Sequence, residues 1–377
     1  MSATKKGDGG KPAIKLTSIE CKDQGLRDRI DFRTEIGRGQ EGQFMKAAVN
    51  DKCEEQKSIF DEFRLAKYRI TLKAKEHMIL PRFKGSMLRG GFGHAFKRIC
   101  CASREKNCDG CLIRQSCPYA YVFETAPPEG AEHMSAHHKI PHPYIFEPPL
   151  DDKTEYGIGG LLDFHLILIG KGIDYLPYFI FAVRELGETG ITVRRHKFEL
   201  ISIHVIDCLT DEETLVYSAS DNIVHAQKVS LTGLALIDEV EEYNSHQLTL
   251  NFLTPTRIKY QGSYCFNEVP MAAIIQNLTL RLNALSYFHG SGIWDDNLKK
   301  LKELALDITV IKSYIKKRDV LRYSNRQGKK DSLSGIIGKV SYEGNLELLL
   351  PVLFLGQFIH VGSDVVFGCG KYEISYN

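Results

Sequence analysis

The spacing of apolar residues predicts alternating strands and helices along most of the chain. Between 63 and 75, Leu65, Tyr68, Ile70 and Leu72 are interleaved with basic residues, which is typical of a half-buried strand. Five further elements follow from the same two periods: a helix at 84–100, strands at 119–124 and 161–169, a helix at 173–186 and a strand at 198–205. Strand, helix, strand, strand, helix, strand is the order of a ferredoxin-like domain.

The same order of elements returns after residue 245. Strands are predicted at 248–258, 320–324, 336–342 and 365–374, and helices at 271–288, 297–306 and 346–358. The sequence therefore predicts an α+β protein with two tandem ferredoxin-like domains, at 61–210 and 246–377, joined by an acidic connection at 211–245. Residues 1–60 contain few apolar residues and no sustained period, so we expect a mobile or weakly ordered extension there.

Composition narrows the class of protein. Of 377 residues, 43% are hydrophobic and 25% charged, which excludes disorder, a collagen-like structure and a coiled coil as descriptions of the whole chain. The longest apolar stretches, 166–183 and 348–358, are both interrupted before they reach about 20 residues, so no membrane span is expected. The polar start lacks the apolar segment of a secretory signal. We therefore expect a cytoplasmic protein.

Half of the ten cysteines lie close together: Cys100, Cys101, Cys108, Cys111 and Cys117. One tight cluster in a large chain is more typical of a metal site than of a disulfide framework. Thiolates at these spacings can complete a tetrahedral zinc site, and four sulfur ligands leave no position for a catalytic water. We therefore predict a structural zinc in an insertion at 100–117 of the first domain, with Cys100 or Cys101 as the fourth ligand. Reduced thiols and an iron-sulfur cluster are the alternatives. A zinc deaminase is excluded because no His-x-Glu motif occurs.

Basic residues are concentrated in two segments, although 49 basic and 47 acidic residues leave a net charge of only +2. Between Lys312 and Lys330 there are eight basic residues and one acidic residue. Between Arg82 and Arg98 there are five basic residues and no acidic residue. Aromatic residues such as Tyr314 lie among them. This combination suits a groove that follows a nucleic-acid backbone and stacks bases. A solvated charged face is the alternative.

A glycine-rich segment lies near the C-terminal end, where Gly362, Gly368 and Gly370 precede Lys371 and Tyr372. Glycines let backbone N–H groups approach a phosphate closely, and the lysine adds a positive charge. The spacing is neither that of a Walker loop nor that of a Rossmann fingerprint. A structural hairpin is the alternative to a phosphate contact.

Several segments, in order from about 80 to 374, together resemble one family, the CRISPR-associated RAMP-superfamily endoribonucleases that process precursor CRISPR RNA. They are LPRFKGSMLRGGFGHAFKRIC, CDGCLIRQSCPYAYVFE, HPYIFEPP, FAVRELGETGITVRRHKFEL, FLTPTRIKYQG, YSNRQGKKDSLSGIIGKVSYEG and FLGQFIHVGSDVVFGCGKYEI. The resemblance implies two ferredoxin-like, RRM-like domains and a C-terminal glycine-rich loop that contacts RNA. It also implies cleavage within a CRISPR repeat without a metal or other cofactor. The ribose 2′-hydroxyl attacks the adjacent phosphate, which leaves a 2′,3′-cyclic phosphate and a 5′-hydroxyl.

The resemblance also directs the site assignments. His94, on the helix that matches the family's first-domain helix, is the first candidate for general base or acid, and His142 in HPYIFEPP is the second. Lys97 is the candidate for stabilising the transition state, and Tyr119 or Tyr121 for assisting it.

RNA contacts are assigned to the basic and glycine-rich positions: Arg89, Arg98, Arg322, Arg326, Lys329, Lys330, Gly362, Gly368, Gly370, Lys371 and Tyr372. The expected partner is CRISPR repeat RNA, and the family also allows other CRISPR effector subunits or a second copy of this chain. A non-catalytic RNA-binding subunit of an effector complex is the rival function.

Overall fold

The computed structural model describes residues 59–103, 108–125, 140–225, 229–240, 246–324 and 329–375. The chain divides into two units, Met1–Phe44 and Met45–Asn377, and the described residues all belong to the second. The extension predicted for 1–60 therefore lies almost entirely outside the described residues. In the described part of the chain, no helix is both long enough and apolar enough to cross a membrane.

The first domain combines helices and strands, as predicted. Its elements are α1 (Ile59–Glu62), β1 (Arg64–Ala74), β2 (Met78–Ile79), α2 (Gly85–Cys100), β3 (Tyr144–Glu147), β4 (Glu155–Tyr156), β5 (Leu161–Ile169), α3 (Leu176–Thr189) and β6 (Phe198–Ile206). The main sheet has the order β3-β5-β1-β6, with antiparallel neighbours. If the four strands of the βαββαβ unit are numbered along the chain, their order across the sheet is 2-3-1-4. Side chains such as Phe92 and Phe179 from α2 and α3 fill the core on one face of this sheet.

The second strand of this domain is β3, and the strand predicted at 119–124 is wrong. Residues Ala120–Glu124 instead form a turn of π-helix, in which the Thr125 amide donates to the Ala120 carbonyl at 2.9 Å. Val122 and Phe123 are buried there against the helices of the domain. Aromatic and β-branched residues suit either a strand or a buried helical turn, and here tertiary packing decides between them.

The predicted connection contributes elements to both domains. It contains β7 (Glu213–Ser218), β8 (Leu231–Thr232) and α4 (Gly233–Val240). Strand β7 extends the first sheet beyond β6, and β8 pairs with the start of β1. Leu236 of α4 belongs to the core of the second domain, so this segment is packed structure on both sides.

The second domain repeats the plan. Its elements are β9 (Gln247–Thr256), β10 (Lys259–Tyr260), β11 (Ser263–Tyr264), α5 (Met271–His289), α6 (Leu301–Leu304), β12 (Thr309–Arg318), β13 (Leu321–Ser324), β14 (Lys329–Ser332), β15 (Gly335–Glu343), α7 (Leu350–Ile359) and β16 (Tyr372–Ser375). The four-stranded sheet has the order β12-β15-β9-β16, again second, third, first, fourth. This topology agrees with the predicted pair of ferredoxin-like plans.

Two predicted strands of this domain exist but differ from the prediction in their place or extent. The second strand of the sheet is β12, whereas 320–324 falls on β13, which pairs only with β14 in a separate hairpin. Strand β12 lies at the edge of the sheet and is largely exposed, so it lacks the alternating apolar pattern that a half-buried strand shows. The strand predicted at 365–374 begins only at Tyr372, because Val365–Phe367 form a turn of 3-10 helix.

The core of the second domain extends onto the outer face of the first sheet. Leu65, Ile145 and Ile167 of the first sheet are buried in the same cluster as Leu278 of α5 and Leu353 of α7. The helices of the second domain therefore cover part of the first sheet's outer face. This contact brings the glycine-rich segment after α7 against β3 of the first domain.

Candidate active site and nucleic-acid interface

The outer face of α2 presents His94 to solvent. Leu88, Phe92 and Phe96 bury the opposite face of the helix, and His94 is exposed. Gly90 lies one turn earlier on the same face, and a Cβ atom at that position would meet nothing within 4 Å. The absence of a side chain at Gly90 therefore leaves open space beside the imidazole, where a ligand can approach it.

Lys97 lies one turn from His94 on α2 and contacts Tyr119. Lys97 follows His94 by three residues, so the two side chains are neighbours on successive turns of the helix. The Lys97 Nζ lies 5.2 Å from the centre of the Tyr119 ring, within the range of a cation–π contact. Of the predicted catalytic residues, Lys97 and Tyr119 are thus in contact, and His94 lies on the same helix as Lys97.

His142, the fourth, lies in a different setting. Its ring is half-buried, its Nδ1 is hydrogen-bonded to the Thr125 hydroxyl at 2.8 Å, and it also hydrogen-bonds the backbone of Val122. Burial, reinforced by the charge of Arg89, lowers the pKa of His142 to about 3. At neutral pH this ring is uncharged and holds the 122–125 turn in place.

His289, the last residue of α5, connects the second domain to this turn, and the sequence analysis did not assign it. The Tyr121 hydroxyl donates to its Nδ1 at 2.9 Å, and its Nε2 donates to the Pro141 carbonyl at 2.7 Å. Burial lowers the pKa of His289 to about 4, so the neutral ring serves as acceptor and donor at once. Only the folded structure reveals this role, because the three residues are far apart in the sequence.

The glycine-rich segment packs against the first domain. Gly368 and Gly370 have φ angles of +82° and +78°, which favour glycine. A Cβ atom on Gly368 would lie 2.5 Å from the Phe146 carbonyl oxygen, and one on Gly370 would lie 2.0 Å from that of Val361. These glycines are therefore required for close backbone packing, whether or not the segment also contacts RNA.

Two predicted RNA-binding arginines meet at this segment. The Arg322 guanidinium lies 4.7 Å from the centre of the Phe367 ring, and that of Arg89 lies 6.0 Å from it. Arg322 also pairs with Asp331 at 2.6 Å. The fold thus brings a cation from α2 and a cation from the β13–β14 hairpin to the glycine-rich segment.

A buried cluster of charges joins the domains at Glu147. Its Oε1 accepts from His360 Nε2 at 2.9 Å and from Lys371 Nζ at 3.0 Å. Lys67 Nζ and His165 Nδ1 each lie 3.7 Å from its Oε2. Burial alone would raise the pKa of Glu147, but the hydrogen bond from His360 and the charge of Lys371 outweigh it and hold the pKa well below its usual value.

Burial changes two of the RNA assignments. Lys371 is paired with Glu147, and only 15% of its side chain is exposed. Tyr372 is fully buried and its hydroxyl donates to the Leu353 carbonyl at 2.5 Å, so the assignment of its side chain to RNA is wrong. Its aromatic ring is part of the core of the second domain.

The remaining predicted contacts are distributed over the surface. Arg98 pairs with Glu185 at 2.7 Å, and Gly362 has a φ of +88° beside the Arg257 backbone. Lys329 and Lys330 lie in β14, but the structure does not describe their side chains, and Arg326 lies outside the described residues. These assignments remain predictions.

The predicted zinc site is wrong. Among the described residues, no group of three or more His, Cys, Asp or Glu side chains is placed to hold a metal ion. Cys100 packs against the core of the first domain, and burial raises the pKa of its thiol to about 12. Cys101 Sγ and Cys111 Sγ each lie 3.7 Å from the Ser103 hydroxyl. The spacing of Cys108 and Cys117 with these residues suited zinc, but the side chains do not form a ligand shell.

Two family models match the chain. The model described as CRISPR-associated endoribonuclease Cas6 matches residues 250–372. A model described as an N-terminal domain matches residues 63–229. An uncharacterized protein of Archaeoglobus fulgidus is 25% identical over 297 residues, which is 78% of this chain and 92% of that protein.

Solved structures show the same fold. A partial Cas6-RT-Cas1–Cas2 complex aligns with a TM-score of 0.51 and 15% identity, over 85% of this chain and 47% of that chain. A Cas6-RT-Cas1–Cas2 complex aligns with the same TM-score and identity, over 85% of this chain and 30% of that chain. This chain therefore spans about half or less of each of those chains.

The two βαββαβ halves and the match of residues 250–372 to the Cas6 model confirm the resemblance to CRISPR-associated RAMP-type proteins. The Cas6 family, as its description states, is one of endoribonucleases.

Proposed function

We propose that this protein is an endoribonuclease that cleaves precursor CRISPR RNA within its repeats. The observation that carries the proposal is the match of residues 250–372 to the Cas6 endoribonuclease family. In the proposed reaction a ribose 2′-hydroxyl attacks the adjacent phosphorus, the bond to the 5′-oxygen breaks, and the products carry a 2′,3′-cyclic phosphate and a 5′-hydroxyl. The nucleophile belongs to the RNA, so DNA is not a substrate.

His94 is the proposed proton-transfer residue. Imidazole is the side chain most often used for general acid–base catalysis, and that of His94 is exposed, with open space for a ligand at Gly90. His142 is less suited, because a pKa of about 3 makes it a weak base and leaves it without a proton to donate. Lys97 is the proposed stabiliser of the negative charge that develops on the phosphate, and its ammonium group contacts the Tyr119 ring.

The RNA path is proposed to run from α2 to the glycine-rich segment. Arg89 and Arg322 both lie near the Phe367 ring and supply positive charge to that segment. Of the two, Arg322 now has Asp331 as its counter-ion, and a phosphate would compete for the same guanidinium.

The test is single-turnover cleavage of an end-labelled CRISPR repeat RNA by the full chain. His94→Ala should lower the rate constant by about 10²- to 10⁴-fold, while the dissociation constant for the repeat changes by no more than a few fold. His142→Ala is the matched control, since it removes an imidazole engaged in the 122–125 turn, and it should retain cleavage once circular dichroism shows a folded protein. Unchanged cleavage by His94→Ala would refute the assignment of His94.

The same experiment addresses the rival function. If the wild-type chain binds the repeat tightly and never cleaves it, a non-catalytic RNA-binding subunit becomes the better account. If it neither binds nor cleaves, the proposed function fails altogether.

A further inference from the structure

The edge strand β12 carries an exposed tyrosine surrounded by lysines. Tyr314 is 73% exposed and lies directly opposite Lys339 of β15. Lys312 and Lys316 are two residues away on either side of Tyr314, so all four side chains point to the same face of the sheet. We call these four residues the Tyr314 platform.

The platform lies on the face opposite the helices. Val340 and Tyr342, which alternate with Lys339 along β15, are fully buried in the core formed with α5 and α7. Lys339 must therefore point away from the core, and its side chain is exposed. The platform thus lies on the face of the second sheet opposite α5 and α7, and its four residues are exposed.

No platform side chain forms an ion pair. In the part of the chain that the structure describes, the side chains of Tyr314 and of the three lysines have no hydrogen-bond or ion-pair partner. Two acids lie near them: Glu343, two residues along β15 from Ser341, which is opposite Lys312, and Asp152, which pairs with Arg318 of β12. Neither carboxylate forms an ion pair with a platform lysine, so the three ammonium groups stay available to phosphates.

Two other cationic side chains of β12 have ion-pair partners. Lys317 pairs with Asp319 at 3.0 Å, and Arg318 pairs with Asp152 at 2.7 Å. Arg318 lies on the same face, two residues beyond Lys316, but its charge is paired with Asp152, whereas the platform lysines form no ion pair. Lysines without an ion-pair partner around an exposed aromatic ring are the combination that binds a phosphate backbone and a stacked base at the same place.

We propose that the Tyr314 platform binds single-stranded RNA, with one base stacked on the Tyr314 ring and phosphates contacted by Lys312, Lys316 and Lys339. The proposal rests on RNA being the substrate, and it adds a contact for unpaired nucleotides on the second sheet. A single strand is favoured over a duplex because the ring can stack only on a base that is free of its own helix. An acidic peptide would use the lysines and gain little from the ring.

The test uses a fluorescein-labelled oligoadenylate of about 12 nucleotides and the full chain, with anisotropy as the readout. Tyr314→Ala should weaken binding by about 5- to 150-fold, whereas Tyr314→Phe should stay within about 3-fold, because the phenylalanine ring still stacks. Tyr178→Ala is the matched control, since Tyr178 is also exposed, at 40%, but lies on α3 of the first domain. It should leave binding unchanged.

A second variant measures the phosphate contacts. Replacing Lys312, Lys316 and Lys339 together by glutamine should lower the slope of log affinity against log salt concentration by about 2, because each lost contact to single-stranded nucleic acid removes about 0.7. The Tyr178→Ala control should also leave the rate of repeat cleavage unchanged, because Tyr178 is assigned no part in binding or in the chemistry.

The outcomes separate this proposal from the proposed function. Wild-type affinity for oligoadenylate in Tyr314→Ala, together with intact repeat cleavage, overturns the platform and leaves the endoribonuclease standing. Binding that depends on the lysines but not on the ring, or that oligoglutamate displaces equally from wild type and Tyr314→Ala, also overturns it. A wild-type chain that neither binds nor cleaves the repeat defeats the proposed function itself.

Discussion

Replacing Glu147 by glutamine should destabilise the protein strongly, because this carboxylate is the buried counter-charge of the domain junction. Glu147→Gln keeps the size of the side chain and removes its charge. Lys371 and Lys67, whose ammonium groups lie 3.0 and 3.7 Å from the carboxylate oxygens, would then lose their negatively charged partner. Removing one partner of a buried ion pair costs about 3–5 kcal/mol. The two lysine side chains are still 15% and 19% exposed, so water screens part of their charge and we expect the lower end, about 3 kcal/mol.

The assay is urea unfolding at neutral pH, followed by circular dichroism. Glu213→Gln is the matched control, because it makes the same substitution in a pair with Arg69 whose side chains are 33% and 30% exposed. A pair of that kind contributes about 0–1 kcal/mol. A loss of less than 1 kcal/mol for Glu147→Gln, or equal losses for the two variants, would refute the reasoning.

The pH dependence gives the same prediction a second test. The pKa of Glu147 is lower in the folded protein than its ordinary value of 4.5, so in acid the unfolded chain binds the extra proton. The stabilisation is complete above about pH 4.5 and is lost as the pH falls through the folded pKa. The difference between wild type and Glu147→Gln should therefore shrink in acid, and a constant difference would contradict this account.

Three further substitutions test other contacts. Gly368→Ala should lower the urea midpoint, since its Cβ would lie 2.3 Å from Pro148 and the φ is +82°, whereas Gly110→Ala, with open space around it, should leave the midpoint unchanged. Tyr121→Phe removes the donor to His289 Nδ1 and should cost about 1–3 kcal/mol in the same assay, because the buried acceptor is left unsatisfied; no loss would contradict the hydrogen bond. Phe92→Ala should cost about 3–5 kcal/mol, since Phe92 lies within 6.1 Å of four other aromatic rings, and a loss below 1 kcal/mol would contradict its place in the core.

Periodic, largely buried elements could be predicted from the sequence. The strand expected at 161–169 coincides with β5, and the helix expected at 271–288 is α5 to within one residue. Both are rich in apolar residues at a clear period, so local sequence and packing agree. In the exposed edge strand β12, local sequence and packing do not agree in this way, and the apolar pattern did not predict it.

The assignment of His94, to which the resemblance pointed, stays a prediction. The structure shows a contact between Lys97 and Tyr119, two of the other predicted catalytic residues. The pair of Glu147 and His360 was not predictable, because these residues are 213 positions apart and meet only when the domains pack. The zinc prediction failed because cysteine spacing limits which ligands can meet but does not fix where the side chains point.

The most direct test of the central claim is cleavage of a CRISPR repeat RNA in excess EDTA, with a matched RNA that carries one 2′-deoxy nucleotide at the cut site. We expect the unmodified repeat to be cut at one position to give 2′,3′-cyclic phosphate and 5′-hydroxyl ends, and the deoxy RNA to stay intact, because its nucleophile is missing. Cleavage of the deoxy RNA at the same position, or products with 5′-phosphate ends, would contradict the proposed mechanism.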